Sequence, residues 1–364
     1  MLNTASALID LAALRHNLDI VRALCPHSRI LAMIKADGYG HGALPVARAL
    51  ARADGFAVAR LQEARELREA GISQRLLLLG TLLEPEELEQ CSAHDIDVTA
   101  YDEASVEAIV GCAARHPLRV WVKLDCGMHR LGLEPVAWIR CARRLAAVRG
   151  VNELIHMTHF STTRDMTGLV MRQQIERFTS CHEALRCEGA VEAAVSVANS
   201  AVLIARPELR AAWVRPGIML FGDNPLAAAH PLPLRAVMTL RSRVIAVRSI
   251  GTGESVGYDG CWTSQRPSRI ATVGIGYGDG YPRHAANGTP VRINGREAPL
   301  AGRVSMDSLT VDVTDLDHVA TGDEVTLWGA ELPAATIAEY ARTASYELFT
   351  GLTARVAREY IGAA

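Results

Sequence analysis

Eight short apolar segments recur along the first two thirds of the chain, and this repetition constrains the fold more than any other feature. Each segment is continuous rather than alternating, and amphipathic stretches lie between them. Continuous apolar strands separated by helices are typical of parallel sheets with both faces covered. The segments are Ile30–Ile34, Phe56–Ala59, Leu76–Leu79, Ile96–Thr99, Val120–Leu124, Leu154–Thr158, Ala193–Val197 and Ala212–Val214.

The stretches between these segments have the apolar spacing and the end signals of helices. They include Gln62–Ala70, Glu84–Ala93, Asp102–Arg115, Pro135–Val148 and Leu169–Arg186. Eight strand–helix units, each of about 20 to 35 residues, match the size of a (β/α)8 barrel. We therefore predict an α/β fold with a TIM-type (β/α)8 barrel over residues 1–233. An open doubly wound sheet is the alternative topology.

The pattern changes over residues 234–364. Apolar residues there alternate with polar ones, β-branched residues are frequent, and turn residues separate the runs. The dipeptide Asn294-Gly295 between two such runs predicts a tight hairpin. One helix is expected at Ala335–Ala344. We predict a second, mostly β domain at the C-terminus, and we expect the opening segment Ala7–Leu11 to pair with it.

Charge and cysteine content exclude several functional classes. Lys plus Arg number 38 against 40 Asp plus Glu, so no electrostatic argument favours nucleic acid or an anionic membrane as a partner. None of the eight cysteines forms a C-x-x-C pair, so zinc and redox motifs are unsupported, and no metal site is predicted. No apolar run reaches the ~18 residues of a membrane span, and the opening residues lack a signal peptide's basic region. We expect a cytoplasmic protein with reduced thiols.

Polar and cationic residues follow several of the predicted strands at their carboxyl ends, where (β/α)8 barrels carry their active sites. Because these ends meet on one rim, we expect the side chains to converge there. The residues are Lys35, Lys123, Asp125, Arg130, His159, Asn199, Ser200, Arg215, Gly217 and Ile218.

Lys35 ends the first strand and is followed by a glycine-rich stretch. An ordinary strand-end lysine is a surface cation, whereas a desolvated lysine has a lowered pKa and attacks carbonyl carbons; the sequence leaves both readings open. Ser200, Gly217 and Ile218 follow the last two strands, where this fold commonly binds phosphate. A lysine and a phosphate site in one barrel suggest pyridoxal 5′-phosphate (PLP) as the cofactor, bound covalently by Lys35.

Four other residues near the rim have an ordinary interpretation that competes with a functional one. Arg215 either forms a common salt bridge or donates a hydrogen bond to the pyridine nitrogen of PLP, which would leave the ring unprotonated. Lys123 is interpreted from its position as a rim lysine paired with an acid. His156 and His159 are three residues apart on a strand, so they are expected on opposite faces rather than on one metal ion.

Eight motifs occur in the order in which the alanine racemase family has them. They are IKADGYGHG, KLDCGMHRLG, THF, ANSA, VRPGIMLFG, VGYDG, GYGDGYPR and GRVSMD. The chain resembles this family of fold-type III PLP-dependent enzymes from about Ala7 to Arg358. The resemblance implies an isomerase that interconverts L-alanine and D-alanine, either supplying D-alanine for peptidoglycan or acting in alanine catabolism.

The resemblance also implies a two-base mechanism in a head-to-tail homodimer. Racemisation needs a base on each face of the substrate, and one residue cannot reach both faces. Lys35 would take the Cα proton of D-alanine. Tyr258, supplied by the C-terminal domain of the second subunit, would take that of L-alanine. A tyrosine pKa near 10 is too high for such a base, so cationic neighbours must lower it, with His159 and Arg215 as the candidates.

Further roles are implied by the resemblance alone. Arg130 and Met306 would contact the substrate carboxylate, and Lys123, often carbamylated in this family, would orient Arg130. Tyr277 and Asp307 would lie at or behind the entrance to the site. Cofactor contacts would come from Lys35, Tyr39, His159, Ser200, Arg215, Gly217 and Ile218.

Three alternatives and three departures from the family pattern accompany this interpretation. The alternatives are a PLP-dependent decarboxylase of the same architecture, a non-catalytic PLP carrier, and a metal-dependent hydrolase built on His156 and His159. The departures are Phe221 and Ala354, where many or some members have tyrosine, and Ser305, where others have cysteine. They bear on the width of the entrance and on the setting of Tyr258.

Overall fold

A parallel barrel is built by the first part of the chain in the computed structural model, which describes residues 5–80, 84–113, 115–162, 165–187 and 193–362. The first ten strands are β1 (Ser6–Asp10), β2 (Arg29–Met33), β3 (Gly55–Val58), β4 (Arg75–Leu78), β5 (Ile96–Ala100), β6 (Leu118–Leu124), β7 (Val151–Thr158), β8 (Ala194–Ser196), β9 (Ala198–Asn199) and β10 (Trp213–Arg215). Nine of these, all except β1, pair in parallel in the order β8-β7-β6-β5-β4-β3-β2-β10-β9.

The two end strands of this ladder, β8 and β9, are separated only by Val197. Both ends of the ladder therefore lie in one stretch of chain, which closes the barrel and excludes the doubly wound alternative with its two free edges. The predicted (β/α)8 barrel is confirmed, with the seventh predicted strand split in two. Strands such as β3 and β5 are buried throughout, which explains why they read as continuous apolar runs.

Helices cover the outside of the barrel and add a small cap to the second domain. They are α1 (Leu11–Leu24), α2 (Lys35–Tyr39), α3 (Ala43–Ala49), α4 (Leu61–Glu69), α5 (Pro85–Ala93), α6 (Glu103–Ala113), α7 (Pro135–Ala146), α8 (Leu169–Cys187), α9 (Ser200–Ala205), α10 (Ala334–Tyr340) and α11 (Ser345–Thr350). The five predicted barrel helices are present, each within about two residues of its expected ends. In the described part of the chain, no helix is both long and apolar enough to cross a bilayer.

The C-terminal domain is mostly β, as predicted. Its strands are β11 (Met238–Ile250), β12 (Ser255–Val256), β13 (Trp262–Thr263), β14 (Ser268–Val273), β15 (Pro290–Ile293), β16 (Arg296–Pro299), β17 (Leu309–Asp312), β18 (Glu324–Trp328) and β19 (Ala357–Ile361). The main sheet has the order β16-β15-β18-β11-β1-β19, and β14 joins β11 to β17. Strand β1 thus pairs with β11 and β19, so the expected pairing of the opening segment with this domain is confirmed.

Two local predictions in the C-terminal domain have different outcomes. Asn294 and Gly295 both have positive φ, 51° and 77°, and join antiparallel β15 and β16, so the predicted hairpin is confirmed. The helix expected at Ala335–Ala344 is too long, because α10 ends at Tyr340. Arg342 has a φ of 52°, a left-handed conformation that no right-handed helix continues through, and α11 begins separately three residues later.

A network of ion pairs fills the amino end of the barrel. The Asp97 side chain is fully buried and accepts hydrogen bonds from Arg119 Nε at 2.6 Å, from Trp121 Nε1 at 2.7 Å and from Arg75 Nε. Arg75 Nη1 also donates to Glu153 at 2.7 Å. Buried charges are tolerated when they are paired in this way, so this end of the barrel is closed and electrically balanced.

Candidate active site

A cleft of about 970 Å³ opens at the carboxyl ends of the barrel strands. The loops after β2, β6, β7, β9 and β10 supply most of its polar lining, and α10 and α11 of the C-terminal domain border it. The sequence-predicted residues that line it are Lys35, Tyr39, Lys123, Arg130, His159, Asn199, Ser200, Arg215, Gly217 and Ile218. We call Lys35, Lys123, Arg130 and Arg215 the four cleft cations.

Lys35 is half-buried where the chain leaves β2. Burial lowers the pKa of its amine, the positive charge of Arg130 lowers it further, and the Glu63 carboxylate partly opposes both. A lowered pKa increases the fraction of neutral amine, which is the form that attacks a carbonyl carbon or accepts a proton. Lys35 is therefore not an ordinary surface cation.

Gly217, Ser200 and Tyr39 form a small cradle at one end of the cleft. The Gly217 amide donates to Ser200 Oγ at 2.9 Å, and a Cβ added at residue 217 would lie 2.6 Å from Tyr39 Oη. Glycine therefore keeps open the space between a hydroxyl and a phenol, as a site for a phosphate group requires. Phe221 is buried and stacks on the Tyr39 ring at 4.9 Å, so this departure supports Tyr39 and does not widen the entrance.

Arg215 is buried and held from behind by the barrel wall. Its Nη1 donates to the carbonyl and hydroxyl oxygens of Ser196 at 2.6 and 2.7 Å, and its Nη2 donates to the Thr158 carbonyl at 2.6 Å. Its Nε has no hydrogen-bond partner among the described residues. Burial lowers the pKa of Arg215 to about 10, so the guanidinium stays protonated at neutral pH and offers a fixed donor to the cleft.

His159 lies among these cations and is uncharged. Burial and then the charges of Arg215, Lys123 and Arg130 lower its pKa to about 3. Of the two cationic neighbours expected to lower the pKa of the tyrosine base, Arg215 therefore remains positive and His159 does not. A neutral imidazole is suited to stacking or hydrogen bonding rather than to charge stabilisation.

Lys123 and Arg130 carry charge without an acidic partner. Lys123 is 8% exposed, one residue before the end of β6, and burial, followed by the charges of Arg215 and Arg130, lowers its pKa to about 8. Neither residue forms an ion pair with any described acid, so the interpretation of Lys123 as a rim lysine paired with an acid is wrong. Asp125, the nearest acid in sequence, instead accepts three backbone N–H groups of its own loop.

Four predicted residues lie away from this cleft, on one surface of the C-terminal domain that we call the β-domain surface: Tyr258, Tyr277, Met306 and Asp307. Tyr258 is 66% exposed, Met306 53% and Tyr277 36%. The structure therefore separates the predicted substrate-side and second-base residues from Lys35 of the same chain.

Backbone contacts bring the parts of the β-domain surface together. Tyr277 N donates to the Ser305 carbonyl at 3.0 Å, and Gly278 N donates to the Met306 carbonyl at 2.8 Å. The short turn that carries Tyr258 is tied to the same segment by an Asp259–Arg303 ion pair of 2.7 Å. Rigid loops thus present large apolar side chains to the outside, which is unusual for a surface without a partner.

His156 faces away from the cleft. Its Nδ1 lies 2.9 Å from His182 Nδ1 under the helices, and its ring packs edge-on against Trp138. His159 lines the cleft, so the prediction that the two histidines lie on opposite faces is confirmed. This placement removes the paired ligands that the metal-dependent hydrolase would require.

Several residues of the site were not predicted from the sequence, and two of them bear directly on the predicted ones. Tyr346 of α11 lines the cleft, and its ring lies 5.8 Å from that of Tyr39. Glu63 of α4 accepts a hydrogen bond from the Ala36 amide at 2.6 Å, directly after Lys35. Glu63 had a signal, since an acid at the third position of a helix often reaches backbone amides; Tyr346 had none, because its helix was not predicted.

Comparison with known proteins covers almost the whole chain. Residues 9–225 match the family "Alanine racemase, N-terminal domain", and residues 237–360 match "Alanine racemase, C-terminal domain". An alanine racemase of Chromohalobacter salexigens is 46% identical over 97% of this chain and 96% of its own length, and one of Vibrio cholerae is 43% identical over 100% and 99%. The crystal structure of the biosynthetic alanine racemase from Pseudomonas aeruginosa superposes with a TM-score of 0.93, at 42% identity over 99% of both chains.

Proposed function

The chain belongs to the alanine racemase family and racemises alanine, and we propose that it does so with PLP, in a site completed by a second copy of the chain. The observation that carries this proposal is the division of the site. A cleft with a lysine of lowered pKa lies in the barrel, and Tyr258 is exposed on the β-domain surface. The relatives support the reaction, and the four cleft cations support an anionic cofactor and substrate.

The residues present fit PLP. Lys35 would bind its carbonyl carbon, and His159 would lie against its ring. The space that Gly217 leaves beside Tyr39 and Ser200 suits a phosphate group, with Ile218 continuing the same loop. When bound, PLP supplies a conjugated ring over which the negative charge left on Cα can spread.

Arg215 would set the electronic character of that ring. Its guanidinium stays protonated and can only donate, so it would hold the pyridine nitrogen in the unprotonated form. An acidic partner would do the opposite. The Arg215 side chain therefore limits how far charge is withdrawn from Cα, which favours simple return of a proton over side reactions.

Two bases on opposite faces would move the proton. Lys35 would take the Cα proton of D-alanine as its neutral amine, a form that its lowered pKa makes more abundant. Tyr258 would take that of L-alanine. Because Tyr258 does not line the cleft of its own chain, we propose a head-to-tail homodimer. In it, the domain of residues 234–364 places Tyr258, Met306, Tyr277 and Asp307 over the barrel, residues 1–233, of the partner.

Arg130 would bind the substrate carboxylate, since its guanidinium is exposed in the cleft without an acidic partner. Lys123 is close enough for the two charges to oppose each other. We propose that the neutral Lys123 amine adds to CO2 and releases a proton, forming a carbamate. The change turns a cation into an anion, so Lys123 would then attract Arg130 and fix its orientation.

The test is a racemisation assay on the purified chain with and without added PLP. L-alanine, D-alanine and serine are each followed by chiral chromatography, with CO2 release measured in parallel. We expect both alanine enantiomers to converge to an equal mixture without gas, with activity lost on removal of PLP and on dilution of the dimer to monomers. CO2 release would indicate the decarboxylase, and full activity of the monomer would contradict the shared site.

We further propose a cytoplasmic location for this activity. There it would supply D-alanine for peptidoglycan or consume it in catabolism. Cell fractionation with an antibody to the chain tests the location. The D-alanine content of the cell wall after deletion of the gene separates the two roles.

A further inference from the structure

The backbone directly after Lys35 adopts a conformation that L-residues avoid. Ala36, Asp37 and Tyr39 have φ values of 52°, 53° and 54°, and Gly38 between them has 61°. Left-handed backbone is unfavourable for every residue with a Cβ, and successive residues of this kind are rare. This left-handed turn therefore persists only because its surroundings hold it.

Hydrogen bonds inside the loop give the left-handed turn its shape. Gly38 N donates to the Ile34 carbonyl at 2.8 Å, and the Ala43 amide donates to Asp37 Oδ1 at 2.7 Å. His41 Nδ1 lies 2.8 Å from the Tyr39 carbonyl. All of these partners lie within one loop, so they do not fix its position against the next barrel unit.

Glu63 makes that connection. Its Oε1 accepts from Ala36 N at 2.6 Å, while its Oε2 accepts from Ala59 N at 2.8 Å and from Arg60 N at 3.0 Å. One carboxylate thus joins the loop after β2 to the loop after β3 and uses both oxygens. A carboxylate can serve all three amides, whereas a glutamine amide group has only one acceptor oxygen.

We propose that Glu63 is a positioning residue for the reaction, because it anchors the amide of Ala36 and so fixes Lys35 and Tyr39 at the two ends of the left-handed turn. Tyr39 can be displaced only slightly, since its Oη packs so closely on Gly217 that it would lie 2.6 Å from any Cβ at residue 217. The inference rests on the proposed function only for the chemical role of Lys35. The anchoring itself is a property of the chain without cofactor.

The negative charge of Glu63 also acts on the amine of Lys35. Burial and Arg130 lower the pKa of Lys35, and Glu63 raises it. The other groups facing Lys35 are the neutral His159 and Lys123, which is cationic as long as it is not carbamylated. The Glu63 carboxylate therefore stabilises the protonated form of the Lys35 amine, whereas burial and the neighbouring cations destabilise it.

The first test is hydrogen exchange on the protein without PLP, resolved to single amides, in Glu63→Gln and in the control Glu66→Gln. Glu66 lies on the same helix, and its carboxylate accepts only from Gln62 Nε2, at 2.9 Å, among the described residues. In Glu63→Gln we expect the Ala36 amide to exchange about tenfold faster or more, since a charge-assisted hydrogen bond is lost. Glu66→Gln should match the wild type.

A purely structural role of Glu63 as a helix cap gives a different result. In that case the Ala64 amide, at the start of α4, exchanges faster in Glu63→Gln while Ala36 keeps its wild-type rate. That outcome would overturn the proposal. Wild-type exchange at both amides would overturn it as well.

The second test measures the pH dependence of acylation of the Lys35 amine in the same cofactor-free proteins, by peptide mass spectrometry. Glu63→Gln should shift the labelling midpoint to lower pH, and Glu66→Gln should not. Glu63→Asp keeps the charge but shortens the reach, so it should restore the midpoint and still leave Ala36 exchanging fast. Restoration of Ala36 protection by aspartate would show that charge alone suffices and contradict anchoring. If Glu63→Gln does not fold, the Glu63→Asp variant still tests the anchoring through the exchange rate of the Ala36 amide. Failure of wild-type chain to bind PLP would count against the proposed function, not against these readouts.

Discussion

The two ends of the barrel differ in whether their charged side chains are paired. At the amino end, Asp97 is fully buried between Arg75 and Arg119, and each charge has an opposite partner. At the carboxyl end, the four cleft cations converge, and none of them forms an ion pair with a described acid. Strand β6 contributes to both regions, since it carries Arg119 near its start and Lys123 near its end, so strand sequence alone does not separate them.

The difference shows which end maintains the fold and which end serves the ligand. Paired buried charges stabilise a structure only when every group is matched, and unmatched like charges destabilise it. Cations are held together at the carboxyl end at a cost in stability, because an anionic cofactor and the substrate carboxylate would neutralise them. Variants at the two ends should therefore change different properties of the protein.

The largest effect is expected for Lys35→Ala at the carboxyl end. We expect racemisation to fall by about 10⁴-fold and the visible absorption of bound PLP to vanish, since both the cofactor anchor and one base are lost. Compared without PLP, the variant and the wild type should unfold at the same temperature, because Lys35 forms no ion pair with a described acid. Persistence of the absorption in a spectrophotometric titration would contradict the assignment of Lys35.

The next effect is expected at the amino end, for Asp97→Asn. Removing the carboxylate leaves Glu153 as the partner of Arg75 and the exposed Asp95 as the partner of Arg119. The loss of the fully buried counter-charge should still lower the free energy of unfolding by about 3 kcal/mol. Racemisation at 25 °C should be unchanged in the folded protein. Glu103→Gln, which removes an exposed pair with Arg140, is the control and should unfold like the wild type in calorimetry.

Tyr258→Phe tests whether the site is shared between the barrel and the β-domain surface. We expect exchange of the Cα proton of L-alanine for deuterium to slow by ~10²-fold, with a smaller effect on D-alanine. Unfolding should be unaffected, because Tyr258→Phe keeps the ring and removes only the hydroxyl of a side chain that is exposed in its own chain. Equal slowing for the two enantiomers, measured by NMR, would argue against Tyr258 as the base on one face only.

The smallest effect is expected for Lys123→Met. In buffer freed of CO2, removal of one of four clustered cations should raise the free energy of unfolding by about 1 kcal/mol, opposite in sign to Asp97→Asn. Because burial lowers the pKa of Lys123 to about 8, its neutral fraction rises from about a tenth at pH 7 to about nine tenths at pH 9. A carbamate NMR signal from ¹³C-labelled bicarbonate should follow the neutral fraction and be missing in Lys123→Met. A signal that falls as the pH rises to 9, or that survives the substitution, would place the carbamate elsewhere.

The barrel could be read from the sequence because its strands are buried on both faces and therefore stay apolar whatever their neighbours are. The residues at the strand ends followed from topology, since parallel strands must present their carboxyl ends together. The ion pairs around Asp97 at the amino end could not be predicted from the sequence. Asp97 lies within an apolar run, and its partners Arg75 and Arg119 belong to two other strands. Only the closed sheet brings them together.

Local sequence determined the elements of this protein, the hairpin at Asn294-Gly295 and the residues at the rim, because hydrophobic periodicity and turn chemistry act between near neighbours. Tertiary structure decided which groups carry charge and which can reach each other. Burial among cations makes His159 neutral, Glu63 reaches an amide 27 residues away, and Tyr258 faces outward from its own chain. Each of these depends on distances and desolvation that no stretch of sequence specifies before the barrel closes.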